Sequence, residues 1–383
     1  MDIMQTRPDY SRSIVNLMSS IGSASGVNSP YPPLDSLDSL KESKNIVLII
    51  LDGLGFNYLR KHGNGTTLQK NLKGSITSVF PPSTGSAITS FLSGLPPQQH
   101  GVIGWYVHLK EYGLVSRILP YTNAIDGNVI DAPISRVIDV KSILSDINRE
   151  YSMIYDYQIV DSEYTRNLAG SARRIGYSDI DSFFSSIRSA ITKSKKQSYV
   201  YSYWPTLDSI SHFLGCESHE AKKHLIEFDE MLYSFIETLT DSDTTLVITA
   251  DHGFNDVPPE NIVYTRDHPK LEECLHLPVC GDTRTGFCYV RPSKVSEFER
   301  YIKNDLGDIC NLHTSKELVH ENWFGFHDPH PRLLDRVGDY TLTFNEGFAL
   351  LNCFPGFEPP ELSGHHGGVS SDEMNVPLII IDC

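Results

Sequence analysis

Four stretches of the chain are apolar almost without interruption, whereas most of it mixes polar and apolar positions. Asn45–Leu51 reads NIVLIIL, 197–203 reads QSYVYSY, 244–250 reads TTLVITA and 376–381 reads VPLIII. Strands covered on both faces, as in a parallel sheet, have this pattern. A fifth strand is expected over 75–80, stopped by Pro81 and Pro82. Ser83 and Thr84 then look like a helix start ahead of the apolar run 87–92. A long helix is expected over 220–239. A strand at 286–291 and a helix at 293–305 fall between the last two core strands.

These elements predict an α/β fold, a mostly parallel central sheet sandwiched by helices, with a smaller inserted cap. The expected division is a polar, Ser- and Pro-rich N-terminal arm over 1–44, a catalytic core over 45–259, the cap over 260–345, and the rest of the core over 346–383. The 383 residues suffice for one large domain with such an insertion.

Charge narrows the partners. With 48 acids against 32 bases, the net charge is −16. Such a surface repels nucleic-acid polymers and anionic membranes. A small anionic substrate remains open, because bound metal ions reverse the local field. The first 25 residues lack a long apolar run. Seven scattered cysteines without a C-x-x-C pair point to free thiols and a cytoplasmic location.

Chemistry follows the strands. Asp52 ends the first, Asp208 and His212 follow the 197–203 strand, Asp251 and His252 follow 244–250, and His365 and His366 lie in a late Gly-His-His-Gly loop. Ligands bind at the carboxyl ends of strands in open α/β sheets. Asp208 and His212, four apart, share one face of a helical turn. Mixed carboxylate and imidazole donors suit zinc, or manganese as a second choice. A hydroxyl at a helix start, Thr84, faces an anion held by helix N–H groups, and a metal beside Asp52 would activate it as a nucleophile.

The segments LDGLG (51–55), SVFPPSTGSAITSFLSGLPPQQHGVIGW (78–105), YWPTLDSISHFLG (203–215), ITADHGF (248–254) and SGHHGGVSSDEMNVPLI (363–379) resemble the alkaline phosphatase superfamily, within it the type I phosphodiesterase/nucleotide pyrophosphatase group. The resemblance implies an alkaline-phosphatase-like fold and two divalent metal ions. It assigns Asp52, Thr84, Asp251 and His252 to one metal, with Thr84 also the nucleophile. It assigns Asp208, His212 and His366 to the other, with His366 preferred to His365 because it directly precedes a glycine. The implied reaction is hydrolysis of a small phosphorylated substrate, a nucleotide among the candidates, through a phosphothreonine. A phosphomonoesterase, phosphonate hydrolase or phosphomutase on the same site is the alternative, and a non-catalytic signalling module a remoter one.

One departure from the family pattern is expected to matter. Where many family members place an Asn three residues after the nucleophile, this chain has Ala87, and Ser86 is the candidate substitute. Trp105 and Arg284 are the other candidate substrate contacts, Trp105 as a wall of the substrate slot and Arg284 as a phosphate ligand from the cap.

Overall fold

The computed structural model describes residues 5–354 and 359–383. Residues 1–4 and 355–358, parts of the expected arm and of the C-terminal core segment, lie outside the described residues. Seven strands form the central sheet, in the order Leu72–Thr77, Asn375–Asp382, Thr244–Thr249, Asn45–Leu51, Ser198–Trp204, Glu150–Asp156, Arg173–Tyr177. The pairings from Thr244–Thr249 to Arg173–Tyr177 are parallel. Asn375–Asp382 runs antiparallel to both its neighbours. Every residue of Asn45–Leu51 and Ser198–Trp204 is buried, which is why these segments carry no polar alternation.

The chain also supplies two strands that its sequence pattern hid. Glu150–Asp156 and Arg173–Tyr177 close one side of the sheet, and Arg173–Tyr177 buries only Tyr177. A half-covered edge strand shows no continuous apolar run.

The expected N-terminal arm is a structural part of the core. Ile14–Ala24 is an α-helix with Ile14, Val15, Leu17, Met18 and Ile21 fully buried. Ser13 and Asn16 form a reciprocal capping box at its start.

A second, antiparallel sheet sits beside the first. Its order is Cys310–Thr314, Tyr340–Phe344, Thr285–Cys288, Cys280–Gly281, Tyr106–Leu109, Leu114–Arg117, Thr122–Asn123. The cap therefore draws three strands from 106–123 as well as those of 260–345. These early strands follow the helix Thr84–Ser93 and the turn at His100 and Gly101, so the same segment that carries Thr84 leads directly into the cap. His100 is buried, takes the Val102 N–H on Nδ1 at 3.0 Å and meets the Ser90 hydroxyl at 3.0 Å, which fixes that turn.

Candidate active site

The candidate residues converge where four carboxyl ends of core strands meet. Asp52 follows its strand directly, and its Oδ2 accepts the Tyr203 hydroxyl. Asp251 accepts the Gly53 N–H (3.2 Å) and the His252 N–H (3.0 Å) on Oδ1. A two-stranded ribbon, Asn255–Asp256 against Gly364–His365, carries the late Gly-His-His-Gly loop to this edge. The two histidines diverge there, as successive residues of an extended segment do. The His366 ring stacks on His252 with centroids 3.8 Å apart. His365 instead meets the Thr283 hydroxyl at 3.1 Å.

The imidazoles are oriented by their far nitrogens. His212 Nδ1 donates to the Gly364 carbonyl at 2.9 Å, which leaves Nε2 bare, 3.5 Å from Asp208 Oδ1. His252 Nδ1 donates to the Gly253 carbonyl at 3.1 Å. Its Nε2 lies 3.4 Å from Asp52 Oδ1 and from Asp251 Oδ2, and 3.2 Å from the Thr84 hydroxyl. Backbone carbonyls that fix the tautomer in this way are the usual outer support of metal-binding histidines.

Among the described residues, the ligand-type atoms Asp52 Oδ1, Asp208 Oδ1, Asp251 Oδ2 and His366 Nδ1 are buried without a hydrogen-bond partner. An unpaired buried carboxylate oxygen is expensive. Four facing one space are what a cation would satisfy. Two triplets have ligand atoms within 4.8 Å of one another, Asp52–Asp251–His252 and Asp208–His252–His366. Burial, reinforced by the Asp208 and Asp251 carboxylates, raises the Asp52 pKa well above its ordinary value. Burial also raises that of Asp208, against the pull of His212 and His252. His366 is driven well below the ordinary imidazole value by burial and then by His252 and His212, so it is neutral with a lone pair available. The donor set thus fits metal ions chemically.

Thr84 is the first residue of the helix Thr84–Ser93, and Ser83 is its N-cap. The helix start is pressed against the cap. A Cβ on Gly85 would lie 2.6 Å from the Gly104 carbonyl oxygen, so only glycine permits this approach. The contact sets Trp105 into a cleft of about 320 Å³ shared with Thr84, Asp208, His212 and His366.

Three sequence expectations change here. Ser86 is fully buried, and its hydroxyl donates to the Pro81 carbonyl and, at 3.0 Å, to that of Ser83. It closes the turn before the helix and does not face the cleft. Ala87, the position of the departure from the family pattern, is buried in the same helix. Arg284 lies inside the protein. Its Nε donates to Glu373 Oε1 at 2.7 Å and its Nη1 to the carbonyls of Asn345 (3.0 Å) and Phe348. Cys280–Gly281 pairs with Gly286 and Phe287, so 282–284 form the hairpin turn, where side-chain direction does not follow strand alternation.

That turn brings Asp282 and Thr283 into the cleft instead, residues that no motif had marked. Asp282 Oδ2 accepts the Trp105 N–H at 3.3 Å. Burial pushes its carboxyl up to about 7, against the pull of the Ser83 hydroxyl and the Trp105 N–H.

The Arg284–Glu373 pair ties the cap to the segment just after His366. Glu373 also accepts the Gly368 N–H (2.8 Å), the Ser370 hydroxyl (2.6 Å) and the Asn255 amide (3.0 Å). Burial alone would raise the Glu373 pKa, but Arg284, Ser370 and Gly368 hold it below the ordinary value. Glu373→Ala leaves a buried guanidinium uncompensated and is expected to cost about 3–5 kcal/mol in urea unfolding. Because the folded pKa is depressed, the pair's contribution is present above the unfolded value of about 4.3 and fades as pH falls through the folded one. An unfolding midpoint unchanged in the variant would exclude this role.

The family model for type I phosphodiesterase / nucleotide pyrophosphatase matches residues 46–368. Murine ectonucleotide pyrophosphatase / phosphodiesterase 5 superposes with a TM-score of 0.66 at 17% identity, over 87% of each chain. Its inactive threonine-to-alanine variant in complex with AMP gives 0.66 at 16%, again over 87% of each chain. The human counterpart gives 0.64 at 16%, with the same coverage. Among curated proteins no significant sequence match emerges. With the family model spanning most of the chain and the metal-type donors gathered at one sheet edge around a threonine, the chain belongs to the type I phosphodiesterase / nucleotide pyrophosphatase family of hydrolases.

Proposed function

We propose that the protein hydrolyses phosphodiester or nucleotide pyrophosphate bonds in a metal-dependent reaction, with Thr84 as nucleophile. The observation that carries this reading is the pair of ligand-atom clusters that share His252, whose Nε2 lies 3.2 Å from the Thr84 hydroxyl, with buried unpartnered carboxylate oxygens of Asp52, Asp208 and Asp251 among them. Asp52, Asp251 and His252, with Thr84, would hold one ion, and Asp208, His212 and His366 the other. His252 is given to the first set because its Nε2 faces Asp52, Asp251 and Thr84, and His212 completes the second. When bound, the ions would lower the pKa of the threonine hydroxyl and balance charge on the phosphate oxygens.

The chain's own groups do the rest. The Thr84 oxygen attacks phosphorus, a Thr84 Oγ–P bond forms, and the bond to the leaving oxygen breaks. Water then cleaves the Oγ–P bond and restores the hydroxyl. The first-turn N–H groups of the Thr84–Ser93 helix, which helical bonding leaves without partners, would meet the phosphate, and Trp105 and Tyr106 wall the cleft. The AMP complex of the murine neighbour supports a small nucleotide as one substrate class.

The test is hydrolysis of bis-p-nitrophenyl phosphate before and after exhaustive chelation, and after reloading with zinc or manganese. Loss on chelation and recovery with either ion is the expected result. Full activity in protein shown by elemental analysis to hold neither ion would refute metal dependence.

A further inference from the structure

The two sets of metal-type donors are not built alike. In the Asp52–Asp251–His252 set, each carboxylate has one oxygen held and one bare. Asp251 Oδ1 accepts the Gly53 and His252 N–H groups, and its Oδ2 has no partner. Asp52 Oδ2 accepts the Tyr203 hydroxyl, and its unpartnered Oδ1 faces His252 Nε2 at 3.4 Å. The side chains of these three residues keep at most 2% of their surface exposed. In the Asp208–His212–His366 set, no donor among the described residues holds the Asp208 carboxylate. The side chains of Asp208 and His212 stay 14% and 23% exposed.

The sheet places Tyr203 for its contact. Tyr203 lies on Ser198–Trp204, in register with Ile50, two residues before Asp52. The next residue on that strand, Trp204, takes the Asp52 N–H on its carbonyl at 3.0 Å. One strand therefore fixes both the backbone and the side chain of Asp52. Tyr203 is itself fixed: it is buried, its carbonyl accepts the Tyr177 hydroxyl at 2.7 Å, and its ring packs on Tyr155 with centroids 5.6 Å apart. A carboxylate free to turn loses that freedom when it meets a cation, and one held beforehand does not. Outer donors to ligating groups are typically worth 10–100-fold in metal affinity. Deep burial adds to the cost of leaving the same oxygens without an ion.

Resting on the two-metal reading above, we infer that Tyr203 is a positioning residue of the Asp52–Asp251–His252 set: its hydroxyl holds one Asp52 oxygen and presents the other, so that this set keeps its ion more tightly than the Asp208–His212–His366 set.

The experiment is a zinc titration of the metal-free protein in competition with a chromophoric chelator, which resolves the affinity of each ion. The unmodified protein should hold two ions, one of them about tenfold or more the tighter. Tyr203→Phe keeps the ring and removes the hydroxyl. It should weaken the tighter ion by about 10–100-fold and leave the other unchanged. Tyr201→Phe, on the same strand, removes a buried hydroxyl that bonds no carboxylate and should change neither affinity. His212→Ala should lose the weaker ion and keep the tighter one, a result that does not depend on the folding of the Tyr203 variant. A merely structural role for Tyr203 would lower both affinities alike or move only the unfolding midpoint. Two equal affinities in the unmodified protein, a Tyr203→Phe protein with both affinities unchanged or equally reduced, a loss matched by Tyr201→Phe, or loss of the tighter ion in His212→Ala would overturn this inference and leave the hydrolase reading intact. An unmodified protein that binds neither zinc nor manganese would overturn both.

Discussion

Thr84→Ala lowers kcat for phosphodiester hydrolysis by on the order of 10⁴ or more, the scale seen when a nucleophile is removed, while Thr84→Ser keeps a substantial fraction. The geometry separates this outcome from a merely structural role. Ser83, not Thr84, is the N-cap of the helix, and the Thr84 hydroxyl faces His252 Nε2 at 3.2 Å. Removing the hydroxyl therefore takes away no helix cap, and the stability loss should stay below the roughly 1 kcal/mol of a lost cap. At about 1.4 kcal/mol per factor of ten, a catalytic loss of four orders is far larger than that. Steady-state kinetics and thermal unfolding of the same two variants separate the roles. A stable, metal-binding alanine variant with near-normal turnover would remove Thr84 from the chemistry.

His366→Ala should lower activity at least a hundredfold more than His365→Ala. Both rings are buried, so burial alone does not rank them. Orientation does. His366 stacks on His252 and shares a cluster of ligand atoms with Asp208 and His252. His365 spends its Nδ1 on Thr283, and burial lowers its pKa to about 4. Losing a metal ligand removes a bond to the ion, whereas losing an outer partner typically costs 10–100-fold. Activity titrated against added zinc gives the comparison. The His366 variant should need much more metal or never saturate, and the His365 variant should follow the unmodified protein. The reverse order would exchange the two assignments.

Much of the site was legible because it sits at the ends of strands that must be apolar. A strand buried on both faces announces itself, and the polar residue that follows it stands out, as Asp52 and Asp251 do. Helical spacing likewise placed Asp208 and His212 together. What the sequence concealed depended on tertiary context. The edge strand Arg173–Tyr177 and its neighbour Glu150–Asp156 mix buried with part-exposed positions and carry no continuous apolar run. The helix Ile14–Ala24 lies in a serine-rich stretch, yet Ser19 and Ser20 are buried with hydrogen bonds to backbone, Ser19 to the Tyr31 carbonyl at 2.5 Å. Composition alone read it as part of a polar N-terminal arm. Arg284 looked like a phosphate ligand because arginine suits phosphate, but its partner, Glu373, lies 89 residues away along the chain. Asp282 was overlooked because a turn, not a periodicity, aims it at the cleft.

The stereochemical course at phosphorus tests the central claim most directly. A diester made chiral at phosphorus by oxygen isotopes is hydrolysed by the zinc- or manganese-loaded protein, and the configuration of the product is read. Attack by Thr84 followed by attack of water inverts phosphorus twice, so the account predicts overall retention. Net inversion would mean that water attacks the substrate directly, and would contradict the covalent role of Thr84.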